Sequence, residues 1–268
     1  MSVTERTRLY EILKEALDAG LPCGQATVVS GAGIGNKLVL LPDRTIGSVG
    51  SAALDAQVRD ALQAALDDER SVTKTETDPA TGDEVEVFYE VFPAPPTLLI
   101  FGAVHVAQAL TRIAKILGFR VIVSDARAKL ATEERFPEAD QIIQAWPDDT
   151  LKELELPPST YVAILTHDPK FDEPALLGTL DTHARYIGAV GSRKTNADRR
   201  QRLIDAGVSE ASLARIRGPI GLDIGADTPK EMAISILAEI IAMRHGREGG
   251  PLTRATGNIR GDRETAKA

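Results

Sequence analysis

Apolar and polar positions follow one rhythm before the proline cluster at residues 93–96 and another after it. In "RLYEILKEALDAG", Leu9, Ile12, Leu13, Ala16 and Leu17 recur at helical spacing, and Gly20 is placed to end the helix. "QATVVSG" and "NKLVLLP" read as strands, and "GSVGSAALDAQVRDALQAAL" reads as a glycine turn opening a second helix. "TGDEVEVFYEVF" alternates, which puts Val85, Val87, Tyr89 and Val91 on one face of a further strand. These elements predict a small α+β domain over residues 1–92.

"PAPP" can continue neither a helix nor a central strand and marks the boundary. Beyond it come strand "TLLIFG", helix "VAQALTRIAKILG", strands "RVIVSDA" and "ADQIIQA", helix "TLKELEL", strand "TYVAILTHD", helix "EPALLGTLDTH", strand "ARYIGAVGS" and helix "NADRRQRLIDAG". Continuous apolar strands between amphipathic helices signal a parallel sheet covered on both faces, and right-handed crossovers make it a Rossmann-like, doubly wound α/β domain, here over residues 97–246. Thr228, Pro229 and Glu231 fit an N-cap, an N1 proline and the N3 member of a capping box. The helix they open, "EMAISILAEIIAMRHG", is apolar on nearly every side, so burial on more than one side is expected, a subunit interface being one way to achieve it. Residues 247–268 are glycine-rich and charged and read as an exposed, flexible tail.

Composition narrows the function classes. Asp plus Glu outnumber Lys plus Arg by 39 to 31, a net charge of −8, which argues against a general nucleic-acid or anionic-membrane surface. One cysteine, Cys23, excludes an intramolecular disulfide and any cysteine-rich metal site. With neither a signal-peptide pattern nor an apolar run long enough for a membrane span, the expectation is a cytoplasmic protein without membrane insertion.

In a doubly wound sheet, ligands bind beyond the carboxyl ends of the strands. The residues predicted there are Gly102, Ala103 and His105, then Ser124, Asp125 and Arg127, then Thr166, His167 and Asp168, then Gly191, Ser192, Arg193 and Lys194. Gly102 and Ala107 fit the first and third positions of the dinucleotide fingerprint G-x-G-x-x-G/A, and Asp125 stands where an acid binds a ribose hydroxyl. Val104 occupies the second glycine position, where a branched side chain would hold a pyrophosphate off the backbone. "GSRK" suits an anion at a helix start, or else a helix capped by Ser192 or Asn196 beside solvated cations. His167 and His105 are the candidate acid–base residues, each with a plain structural alternative. The glycine-dense "GPIGLDIGADTP" contributes Gly221 and two acids, Asp223 and Asp227, that look buried. No histidine pair has metal-site spacing, so no protein-only metal centre is expected.

"FGAVHVAQAL", "DAR" with "RFPEAD", "LTHDPKFD", "YIGAVGSRKT" and "GPIGLDIGADTPKEMAISILAEI" occur in the same order as in the XdhC/CoxI family, which the chain resembles from Leu98 to Gly246. That family comprises accessory factors that mature molybdenum hydroxylases such as xanthine and carbon monoxide dehydrogenases. The resemblance implies a carrier without turnover of its own. Such a carrier is a homodimer that binds molybdenum cofactor (molybdopterin) as cargo, promotes its sulfuration with a cysteine desulfurase and hands it to a hydroxylase apoenzyme. It further implies a pterin–phosphate held in the crevice, with Arg193 and Lys194 around the anion, donors from Thr166 and His167, and Asp125 on a pterin or ribose edge. Two departures stand out. Val104 replaces a glycine of the family's G-A-G-H turn, and Ser51, Ala52 and Ala53 lie where many members carry a G-G-C-V-E segment with its cysteine. An NAD(P)-linked oxidoreductase, using His167 or His105 as proton donor, and a ligand-free scaffold are the alternatives the residues leave open.

Overall fold

The proline-rich segment separates two units, divided between Pro95 and Pro96, in a computed structural model that describes residues 3–154, 156–157 and 159–255. In the N-terminal unit α1 (Val3–Asp18) leads into β1 (Cys23–Gly31), β2 (Lys37–Leu40), β3 (Thr45–Ser48), α2 (Ala52–Asp67), β4 (Val72–Thr77) and β5 (Glu84–Phe92). The strands form one antiparallel sheet in the order β3-β2-β1-β5-β4. Alternation assigns its two faces. Ala26, Val28, Leu38, Val85, Val87 and Tyr89 pack under Leu54, Val58 and Leu62 of α2, while Cys23 and Val39 point the other way against Leu9, Leu13 and Ala16 of α1.

The C-terminal unit contains β6 (Thr97–Phe101), α3 (His105–Ile116), β7 (Arg120–Ser124), β8 (Gln141–Ile143), α4 (Pro147–Glu153), β9 (Thr160–Ile164), α5 (Pro169–Leu180), β10 (Tyr186–Ala189), α6 (Arg193–Asp205), α7 (Glu210–Leu213), β11 (Ile216–Arg217) and α8 (Pro229–Arg244). Its sheet is wholly parallel, in the order β11-β10-β9-β6-β7-β8. This is the doubly wound Rossmann arrangement, and the order reverses between β6 and β9, where such sheets open a crevice. Both faces are covered, as the unbroken apolar strands require. Leu98, Ile100, Val121 and Tyr161 meet Leu110 of α3 and Ile236, Leu237 and Ile240 of α8; Leu99, Phe101, Val162 and Ile164 meet Phe171 and Leu176 of α5 and Leu203 of α6.

Several elements differ from the sequence reading. The polar edge strands β3 and β4, the two-residue β11 and the short α7 are additional to the elements expected. Helix α5 begins at Pro169 rather than Glu173, because Asp168 caps it and Pro169 fits its first turn, with Pro174 inside. The capping box of α8 is formed as expected, with Thr228 accepting from the Glu231 N–H while the Glu231 carboxylate accepts from the Thr228 N–H. That helix is buried along Ala233, Ile236, Leu237 and Ile240, yet Ile234 and Ile241 on its other side are exposed. Of the predicted tail, residues 247–255 are exposed with one 3-10 turn at Leu252–Arg254, and the rest lies outside the described residues. Replacing Thr228 with Ala removes the cap and should lower unfolding stability by about 1 kcal/mol, read as a lower denaturant midpoint at unchanged slope.

Candidate functional site

The crevice is built from the turns that follow β6, β7, β9 and β10. Gly102 adopts φ +105°, and a Cβ there would lie 2.5 Å from Thr166 Cγ2, so only glycine lets the turns after β6 and β9 close on each other. Val104 is the N-cap of α3 and makes no side-chain cap. Its isopropyl group is half-buried and packs on the core beneath α3. His105, the first residue of that helix, is exposed.

Asp125 is 1% exposed and its two oxygens accept four hydrogen bonds. The Ala103 N–H (2.8 Å) and an Arg127 terminal N–H (2.7 Å) reach Oδ2, while the Arg127 backbone N–H and Nε–H, each at 2.9 Å, reach Oδ1. Every acceptor site of the carboxylate is thereby engaged. Burial pushes this carboxyl up, but the bonds from Arg127 and Ala103 outweigh it and hold it below the usual carboxylate range. The residue in the ribose-acid position therefore fixes the glycine turn, and a ribose or pterin edge would have to displace Arg127 from it.

A second buried carboxylate lies on the β9 side. Asp172 and Arg199, 2% and 3% exposed, pair at 2.8 Å. Asp172 also accepts the Thr166 hydroxyl proton, which leaves that hydroxyl able only to accept further bonds. Arg199 donates to the Val190 carbonyl at 3.1 Å and to Asn196 Oδ1, and Asn196 in turn donates to the carbonyls of Gly191 and Ser192. The turns after β9 and β10 are thus joined through one hydrogen-bonded chain. Neither Asp172 nor Arg199 stands out in the sequence; the only signal is an acid and a base on consecutive helices, each following a crevice strand.

Asp168 and Ser192 are N-caps, accepting from the N–H groups of Lys170 and Thr195. His167, Arg193 and Lys194 are exposed on the same edge, so two cations stand there on a net-acidic protein, with the exposed Asp168 on that edge as well. Gly221, at φ +99°, donates its N–H to Glu239 at 2.8 Å, and a Cβ there would lie 2.4 Å from Ser235 Oγ. Glu239 also accepts the Tyr186 hydroxyl, which fastens the glycine-dense loop to α8 and β10. Asp223 and Asp227, expected to be buried, are both exposed, because the small residues of this loop pack its backbone against α8 and leave the acids facing solvent.

In the N-terminal unit, Ser51 caps α2 and donates to the buried Asp78 at 2.6 Å. A cavity of about 140 Å³ lies beside this pair, lined by Gly33, Asn36, Val49, Gly50 and Leu54 among others. Cys23 is fully buried, which pushes its thiol up and keeps it protonated. Among the described residues, no cluster of three or more His, Cys, Asp or Glu could hold a metal, and no helix is long and apolar enough to cross a membrane.

Comparisons with known proteins match both units. Residues 98–240 match the XdhC Rossmann domain, and residues 16–76 match the XdhC and CoxI family. The chain is 33% identical over 170 residues to the Escherichia coli protein YqeB, covering 63% of this chain and 31% of that one. It is 34% identical over 158 residues to a Bacillus subtilis protein described as a probable xanthine dehydrogenase subunit, covering 59% and 46%. It is also 34% identical over 89 residues to the E. coli molybdenum cofactor insertion chaperone PaoD, covering 33% and 28%. The matches thus span under half the length of each of these relatives. A Bacillus halodurans structure described as a xanthine dehydrogenase shares the fold, with TM-score 0.53 at 20% identity over 92% of this chain and 97% of that one.

Two outcomes test the buried carboxylates. Arg199→Met leaves Asp172 buried without its cation and should cost about 3–5 kcal/mol in denaturant unfolding. Because the Asp125 carboxyl is depressed in the folded state, its stabilisation is complete above the unfolded carboxylate value of about 4 and is lost as pH falls through the folded value. Asp125→Asn should therefore melt below the parent protein at pH 7, with the gap narrowing as melts are repeated toward pH 3.

Proposed function

Because the chain belongs to the XdhC and CoxI family, we propose that it is an accessory factor that delivers molybdenum cofactor to a molybdenum hydroxylase of the xanthine or carbon monoxide dehydrogenase type. The observation that carries this reading is the family match across both units, with a relative named as a molybdenum cofactor insertion chaperone among the similar proteins. The protein acts as a cytoplasmic homodimeric carrier, and its cargo, not a substrate it turns over, occupies the crevice.

The crevice chemistry suits an anionic, phosphate-bearing cargo. Arg193, Lys194 and His167 supply exposed cationic or donor groups at the carboxyl edge. The first-turn amides of α3, which lack a side-chain cap, add backbone donors. Gly102, Asp125, Thr166 and Gly191 shape the turns, and Gly221 and Asp223 border them from the glycine-dense loop. Ala103, Arg127, Asp168 and Ser192 are engaged in turn and cap bonds that hold these donors in place. Sulfur is supplied by a cysteine desulfurase acting on the bound cargo, since the family cysteine is replaced around Ser51 and the one thiol, Cys23, is buried.

Protein purified from cells that make molybdenum cofactor should release molybdopterin species detectable by mass spectrometry. The double change Arg193→Glu and Lys194→Glu should lower that retention by at least about tenfold, the loss of one strong charge-assisted contact being the minimum, while leaving the melting temperature unchanged. Absence of molybdopterin from the purified protein, with no thermal shift on adding it, would overturn the proposal.

A further inference from the structure

Trp146 is the sole tryptophan of the chain, and it stands 52% exposed at the carboxyl edge of the parallel sheet. It is the N-cap of α4, directly after the turn that leaves β8, and makes no side-chain cap. Its ring is held from one side by Phe171 in the first turn of α5, with centroids 5.7 Å apart and planes tilted by 43°. Phe171 in turn packs edge-on against Phe101 at the end of β6, with centroids 6.4 Å apart. An aromatic ladder therefore runs from the buried switch point out to the rim.

Polar groups stand on the turns next to it. The Asp125 N–H donates to the Ile143 carbonyl at 3.1 Å, which sets the turn bearing Arg127 beside the turn bearing Trp146. The Arg127 side chain is 56% exposed although it binds Asp125, and it lies within electrostatic reach of Asp168, the cap of the helix that carries Phe171. A half-exposed indole held by Phe171, on a turn next to the one that bears Arg127, offers a flat apolar face with polar groups on the neighbouring turns. That combination takes a planar nitrogen heterocycle, with ring stacking as the attraction and edge hydrogen bonds as the selector.

We propose that Trp146 is the stacking platform for the ring of a phosphorylated nitrogen heterocycle bound along the crevice, the chemistry shared by a nucleotide and a phosphorylated pterin. The inference needs only the Rossmann crevice and does not depend on the molybdenum reading. It also gives the half of the crevice beside β7 and β8 a task separate from that of Arg193 and Lys194 after β10.

Because the chain has one tryptophan, emission excited at the long-wavelength edge, where its tyrosines do not absorb, reports on this ring alone. Titrations with ADP, with neopterin triphosphate and with inorganic pyrophosphate separate a nucleotide source, a pterin source and a phosphate contact without a ring. At least one ring-bearing probe should quench Trp146 saturably, and pyrophosphate should not. By calorimetry, Trp146→Ala should weaken the quenching probe roughly tenfold, and Trp146→Phe, which keeps a stacking face, should restore most of that affinity. Saturable binding left unchanged by Trp146→Ala, or no quenching by either ring-bearing probe, overturns the stacking role. The two proposals fail separately. Molybdopterin retained equally by parent protein and Trp146→Ala, with no quenching by either ring-bearing probe, would leave the carrier standing and remove the platform, whereas quenching by ADP in protein that retains no molybdopterin would do the reverse.

Discussion

The crevice of the C-terminal unit depends on an ion pair that solvent does not reach. Asp172 and Arg199 come from consecutive helices on one face of the sheet, and through Thr166 and Val190 they bind the turns that follow β9 and β10. Removing two charges from water is costly, and burial still pushes the Asp172 carboxyl up although the Thr166 hydroxyl and the Arg199 guanidinium, held at fixed positions, offset part of that cost. Thr166, once held, presents its methyl group to Gly102, so the geometry of the ion pair extends across the point where strand order reverses. Asp125 does the equivalent task on the β7 side through the Ala103 N–H. The exposed cations, histidines and tryptophan at the rim are placed by these buried groups.

Much of this architecture is legible in the chain. Alternation on β5 and continuous apolar character on β6, β7 and β9 fix which strands are half-covered and which are enclosed. The Thr228, Pro229 and Glu231 signal marks a helix start to the residue, because caps are local chemistry. Strands β3, β4 and β11 escape notice for the opposite reason: they lie on sheet edges, are short or polar, and are defined by pairing with a neighbour rather than by their own pattern.

The site is legible as a set of positions and much less as a set of roles. Strand-end logic identifies Asp125 and Thr166, but nothing local shows that both are occupied by other protein groups. Asp172 and Arg199 are polar residues in helices, a pattern that ordinarily means a solvated face, and their pairing links residues 27 apart in the chain. Val104 breaks the dinucleotide fingerprint in the sequence, and in the fold it packs half-buried on the core below α3. The departure from the motif thus adds apolar contact where a glycine would add none.

The two sheets end in strands that are short or polar. β11 has two residues and β8 three, and β3 and β4 carry Thr45, Thr73, Lys74 and Thr75 along the outer borders of the antiparallel sheet. A border so brief or so polar offers a stray chain few unpaired amides to zip onto, and on β4 it sets the Lys74 ammonium in the way of such a pairing. The same economy that hid these strands from pattern reading protects nascent and concentrated protein from edge-to-edge aggregation.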